Sequence, residues 1–171
     1  MSSELRVDRI IPTTGIPTNG GGGIIQIQST TLSTPFTSSS TSYVDITGLS
    51  VSITPKFSTS KMLVLFSVDY GNTSNHSCRI GFFRGETNVL GSPVSNRLRG
   101  WQLYIYGDTN TSESHAFQHL DSPNTTSAVT YKLKMAVQAG TGCINRSGSD
   151  NDGTAYSYRS ASSITAMEVS A

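Results

Sequence analysis

Three histidines, two cysteines and eleven carboxylates are the side chains of this 171-residue sequence with the widest chemical reach, so their spacing is the place to start. His115 and His119 stand four apart, which on a helix would make a metal-binding pair. Their surroundings, Glu113 to Leu120, read as a strand, and there the two share a face about 13 Å apart, too far for one ion. Asp150-Asn-Asp-Gly153 matches the start of a calcium loop, because alternating carboxylates before a glycine aim oxygens at one centre. The bidentate acid needed later is missing and Arg159 occupies its place, which favours a hairpin turn. There is no G-x-S-x-G elbow, no phosphate loop and no H-E-x-x-H, and the acids show none of the pairing that sugar hydrolysis requires. No enzyme activity, no metal and no cofactor is expected. Cys78 and Cys143 lack zinc spacing and are too few for a disulfide framework; they read as small buried hydrophobes, with a single bridge as the alternative.

Aromatic side chains among polar loops are the remaining chemistry, since Tyr and Trp stack on sugar faces and anchor protein contacts. Trp101, Tyr104 and Tyr106, beside Asp108 and Asn110, form the best such cluster. In Trp101-Gln-Leu-Tyr-Ile-Tyr106, a period of two puts Trp101, Leu103 and Ile105 on one face and both tyrosines on the other. Two readings stay open. Trp101 belongs to the core and the tyrosines lie between protomers, or the neighbouring loop has a binding role, with a polysaccharide as one class of ligand. The Asn-x-Ser/Thr triplets at Asn72, Asn75, Asn110, Asn124 and Asn145 are what a Ser/Thr-rich chain produces by chance.

The elements that must position these residues are strands. From Ser127 to Ala139, Val129, Tyr131, Leu133, Met135 and Val137 alternate with Thr130, Lys132, Lys134 and Ala136, giving one core face and one outer face. That outer face, Thr130, Lys132 and Ala136 above all, is a candidate protomer contact. Ile24 to Thr31, Tyr43 to Thr47 with Leu49 to Ile53, Cys78 to Arg84, Asn88 to Leu90, Gly142 to Arg146 and Ser163 to Val169 also read as strands, the Gly142 segment pairing with the Ser127 strand or near it. Lys61 to Tyr70 begins almost wholly apolar, as suits a central strand covered on both faces. Ser33 to Ser42, with Pro35, reads as loop, and no segment has a helical period. About ten short strands between Gly, Pro, Asn and Ser turns imply an all-β fold, a jelly-roll-like β-sandwich over residues 24–171.

Only 13% of residues are charged and the formal net charge is +1, which gives no field for nucleic acid or an anionic membrane. Ser and Thr make up roughly three residues in ten, and they alternate with Val, Ile, Leu, Phe and Tyr as on the wet face of a strand. A surface of hydroxyls also suits assembly, because burying a hydroxyl costs less than burying a charge. No apolar run is long enough to span a bilayer, and the N-terminus lacks the pattern of a secretory signal, so synthesis and assembly in a cytoplasm are expected.

Residues 1–23 read differently. Leu5, Val7, Ile10, Ile11 and Ile16 are apolar, but Pro12, Gly15 and Pro17 interrupt them, and Gly20 to Gly23 makes a flexible joint. Such a segment suits an extended arm that docks its apolar side chains on a neighbouring protein.

Three stretches together carry a resemblance. Leu5-Arg-Val-Asp-Arg-Ile10, followed by Thr14-Gly15 and the glycine run, resembles the N-termini of tail fibre and related virion proteins of tailed bacteriophages, especially those of cyanobacterial and marine hosts. Ile46 to Pro55 with Ser60 to Val64, and Leu120 to Ser127 with Thr130 to Leu133, resemble a β-rich domain that recurs in those proteins; so do Ile144 to Arg146 and Ser163 to Val169. The resemblance implies a non-enzymatic virion component, commonly a homotrimer, whose arm attaches to other virion proteins of the tail or capsid and whose distal domain faces the host. Between arm and domain there is no long shaft, so a decoration protein of capsid or tail stands beside a short tail fibre.

Overall fold

The chain's alternating segments form eleven strands in a computed structural model that describes residues 23–105, 108–153 and 158–170. They are β1 (Ile24–Leu32), β2 (Phe36–Ser38), β3 (Val44–Ile53), β4 (Lys61–Asn72), β5 (Cys78–Arg84), β6 (Thr87–Asn88), β7 (Trp101–Leu103), β8 (Glu113–Asp121), β9 (Val129–Val137), β10 (Gly142–Ile144) and β11 (Ser162–Val169). Among the described residues none is helical. The arm positions Leu5, Val7, Ile10, Ile11 and Ile16, and also Tyr106, lie outside the described residues.

Two antiparallel sheets pack face to face as a β-sandwich. The first follows the order β1-β11-β4-β10-β2, with β8 pairing the other side of β4; the second follows β3-β9-β5-β6, with β7 also on β5. The chain crosses repeatedly between the sheets, so neighbours in sequence are seldom neighbours in a sheet. Between them lies a single core. Met62, Val64, Phe66, Val68 and Tyr70 of β4 face Ile80 and Phe82 of β5 and Tyr131, Leu133, Met135 and Val137 of β9. Phe82 stacks on Tyr131 at 5.4 Å between ring centroids, and Phe66 tilts against Phe82 at 5.6 Å. Each such side chain contributes roughly 1.5–3 kcal/mol by leaving water.

Polar groups tie the sheets where the core thins. Asp121 of β8 accepts from Tyr131 Oη at 2.7 Å and from Arg84 Nη1 at 2.6 Å, joining the two sheets through one carboxylate. Burial and the adjacent Asp121 together push the Tyr131 phenol far above its ordinary range. Asn145, held at φ 63, donates to the carbonyls of Leu32 and Thr34 at 2.7 and 3.1 Å and accepts from Ser162 Oγ at 2.6 Å. Glu168 of β11 points inward and is fully buried. It accepts from Gln26 Nε2 at 2.5 Å and from the amides of Lys56 and Phe57 at 2.8 and 3.3 Å. Burial works to raise its pKa, but the Ser60 hydroxyl beside it, then Gln26 and the two amides, hold the carboxyl below its ordinary value.

Several expectations change. Tyr43 to Thr47 and Leu49 to Ile53 are parts of one strand, whose register against β9 shifts between Asp45 and Ser50, with Gly48 at φ +86 inside the irregularity. Ser33 to Ser42 is not all loop, since β2 pairs with β10 there. β10 pairs with β4 and β2 and not with β9, because the chain changes sheet after Val137. The strand at Trp101 stops at Leu103, although Ile105 remains fully buried. Cys78 and Cys143, by contrast, are as expected: both are buried and free, and burial pushes both thiols upward. Finally, β4 is buried at both parities only from Val68 to Asn72 and not over its apolar start. Its outward residues Leu63, Leu65 and Ser67 are only half-buried, with no layer of the described chain laid over them.

Candidate functional site

The uncovered side of β4 is the centre of a continuous surface. Backbone pairing sets β1, β11, β4 and β8 side by side, and the pleat then fixes which residues share each row of the outer face. One row is Ile27, Met167, Leu63 and Leu120. The next is Ser29, Thr165, Leu65 and Gln118, and the third is Thr31, Ser163, Ser67 and Ala116. None of these side chains is charged. Ile27 is 54% exposed and Leu120 56%, and Ile24, farther along β1, is 52% exposed. With rows about 6.6 Å apart and strands about 4.8 Å apart, the three rows cover on the order of 400 Å² in projection. Its apolar part is the one row from Ile27 to Leu120 together with Leu65, and the rest is hydroxyl, amide and methyl. Ser29 and Thr165 join hydroxyls across the edge pair at 2.8 Å. Below the apolar row lies a hollow of ≈ 410 Å³ bordered by Leu65, Ser67, Ala116, Gln118, Ser163 and Thr165.

The outer face of the second sheet has the opposite character. Lys132 Nζ lies 2.8 Å from Asp45 Oδ2 and 2.5 Å from Glu86 Oε1. Lys134 Nζ lies 3.0 Å from Asp45 Oδ1 and 2.6 Å from Glu86 Oε2, and it sits 4.8 Å above the Phe83 ring. Two cations and two anions thus close on one another. The hydrogen bonds that Lys132 donates to Asp45 and Glu86 hold it above its ordinary pKa. Of the expected contact residues on β9, Thr130 is exposed and hydrogen-bonded to Ser52 at 2.7 Å, and Lys132 is engaged in the ion cluster. Ala136 is fully buried within the chain itself, so no second copy can reach it. The sequence alternation placed it correctly on the outward parity, opposite Arg79 of β5, while Ser40 lies alongside this end of the strand and its carbonyl accepts from Val137 N at 2.8 Å.

The aromatic cluster also divides. Trp101 stacks on Phe117 at 4.9 Å and meets Phe66 edge-on at 5.1 Å, so its ring is engaged in packing at the margin of the core. Tyr104 is 46% exposed. Asp108 and Asn110 serve one another: Asp108 Oδ1 accepts from Asn110 N at 3.0 Å and Oδ2 from Asn110 Nδ2 at 3.2 Å. Those bonds, the backbone one foremost, lower the Asp108 pKa. This is a self-contained turn. A second depression, of ≈ 420 Å³, lies between Tyr43, Phe83 and the loop from Glu86 to Arg99. Its polar groups are used internally, for Tyr43 Oη and Asn88 Nδ2 both donate to Arg99 O, at 2.6 and 2.9 Å. Burial pushes the Tyr43 phenol up to about 12.

His119 lies edge-on to Phe82, and His115 lies 3.6 Å from Glu113. Asp150 is paired with Arg159 at 2.5 Å and with Arg146 at 3.5 Å, so arginines stand where a calcium ion would need free carboxylates. Among the described residues no group of three or more His, Cys, Asp or Glu could hold a metal ion.

No protein-family model matches the chain, and no curated protein matches it significantly.

The neutral face of the first sheet was missed by sequence reasoning, although its signal was present. Lys61-Met-Leu-Val-Leu-Phe-Ser is apolar at both parities, and Ile27, Leu120 and Met167 occupy outward positions on the strands beside it.

Proposed function

We propose that this chain is a non-enzymatic structural protein of a tailed-phage virion, a short tail fibre. Residues 1–23 anchor it to the particle, and residues 24–171 form a homotrimeric β domain presented to the host. The observation that carries this reading is the outer face of β1, β11, β4 and β8, where three successive rows between Lys61 and Asp69 hold no charge, a surface suited to another protein and not to chemistry. The order of motifs that resembles phage virion proteins supplies the setting. A capsid or tail decoration role is the second reading, favoured by the glycine run leading straight into β1 with no shaft between them. Polysaccharide recognition at Tyr104 has less support, since its expected partner Trp101 is engaged in packing.

Deleting Met1 to Asn19 tests the anchor. The expected product is a folded domain with its oligomeric state intact that is absent from purified particles. Incorporation at normal levels contradicts the anchoring role.

A further inference from the structure

We infer that the depression between Tyr43, Phe83 and the loop from Glu86 to Arg99 is a binding site for an acidic saccharide, with Arg99 holding a sugar carboxylate. It lies on the outer side of the second sheet, apart from Tyr104 and away from the face on which the assembly reading rests. Binding there is a property of the single chain and needs no virion around it.

Unpaired charge points to an anion. Among the described residues Arg84, Arg146 and Arg159 each lie within ion-pair distance of a carboxylate, Asp121 or Asp150, whereas Arg79, Arg97 and Arg99 do not. Those three belong to one region. Arg99 borders the depression and Arg97 stands two residues earlier in its loop. Arg79 occupies an outward position of β5, near enough to Tyr43 to oppose the rise that burial imposes on its phenol. Asp45 and Glu86 are the carboxylates at hand, and Lys132 and Lys134 already engage both. Three guanidinium groups are therefore left over in a chain whose formal net charge is only +1. A planar guanidinium fork matches a carboxylate better than any other side chain does.

The walls select the kind of anion. Tyr43 and Phe83 meet edge to face at 5.4 Å, and with Pro93 and Leu98 they supply apolar surface for the C–H face of a sugar ring. The Thr87 and Ser92 hydroxyls make no hydrogen bond among the described residues. Glu86 spends one lone pair of each oxygen on a lysine and has others left to accept from ligand hydroxyls. A uronic acid brings both a carboxylate for Arg99 and hydroxyl donors for Glu86, and a DNA strand brings only the anion.

The depression is shaped before any ligand arrives. Tyr43 Oη and Asn88 Nδ2 hold the Arg99 carbonyl, Arg99 Nε donates to Ser92 O at 3.1 Å, and Val94 and Arg97 pair through their backbones. These bonds fix the loop and leave the Nη atoms of Arg99 for the ligand, so little ordering is lost on binding. The volume of ≈ 420 Å³ falls within the range of small-ligand sites, about 300–1,000 Å³.

The test is isothermal titration of the full-length chain with trigalacturonate, with the fully methyl-esterified trimer as the uncharged counterpart and circular dichroism as the folding control. Wild type is expected to bind trigalacturonate about tenfold or more tighter than the ester, with affinity falling as salt is added. Arg99→Gln should weaken binding by about tenfold or more, and Ser92→Trp should abolish it by filling the depression. Lys61→Gln, on the first sheet, and Tyr104→Ala should leave it unchanged. No binding by folded wild type, equal binding of the ester, or equal binding of a single-stranded DNA oligomer overturns the acidic-saccharide assignment. Equal losses in Lys61→Gln and Arg99→Gln, or a loss in Tyr104→Ala that Arg99→Gln does not share, overturns the location.

Discussion

The first sheet sets Ile27, Met167, Leu63 and Leu120 side by side on its outer surface and turns Glu168 inward, whereas the second sheet sets Asp45, Glu86, Lys132 and Lys134 outside and, apart from Arg84 at the end of β5, fills its inner positions with apolar and aromatic side chains. The two sheets share one core, so the requirements of folding do not explain the difference. A face that meets water is served by charges that satisfy one another. A face that meets copies of itself is served by neutrality. Under the assembly reading proposed above, the placement of charge in this sandwich, sparse as it is, separates a solvated side from an assembling side.

The largest effect outside the assembly interface is expected at Glu168, because its charge is on the inner side of the first sheet. Glu168→Ala leaves Gln26 and the amides of Lys56 and Phe57 without their acceptor and should cost about 3 kcal/mol in denaturant unfolding. A change within half a kcal/mol would show that this inward charge is not part of the contrast.

The same residue fixes a pH dependence. Its folded-state carboxyl titrates below the ordinary value of 4.5, so its contribution is complete above that value and is lost as pH falls through the folded one. Melting temperature should fall on acidification below about pH 4.5, and Glu168→Gln should flatten that slope. An unchanged slope in the variant would assign the acid sensitivity to other carboxylates.

Smaller effects belong to the second sheet. Replacing Lys132 and Lys134 together by Met should alter stability by about 1 kcal/mol or less, with a dependence on salt, because Asp45 and Glu86 remain largely in water. Thr130→Ala, which removes only the hydroxyl contact to Ser52, should stay within about 0.5 kcal/mol in the same assay. A larger loss at either site would make this face a structural element in its own right and blunt the contrast.

Much of the fold is legible in the chain. Val129 through Val137 alternate so regularly that core face and outer face follow directly, and Ile164, Ala166 and Glu168 share the inner side of β11 as their spacing requires. What local pattern cannot give is pairing across the sequence. Cys143 lies beside Gly71 and Thr37, and nothing near Gly142 to Ile144 signals either partner. β2 is hidden among Ser, Thr and Pro because three residues are too few to show a period. Ala136 shows the same limit from another side, since its parity is right and it is nevertheless fully buried.

The interaction surface is the instructive case. The apolar run of β4 predicts cover on both faces, and the described chain provides it on one. Periodicity reports that a face is to be buried, but not whether this chain or another copy buries it.

The central claim is that this sandwich is completed by copies of itself, and the mass of the full-length protein in solution tests it most directly. Sedimentation equilibrium or native mass measurement should give three times the 18.2 kDa chain mass. A species of 18.2 kDa at every concentration would contradict the account.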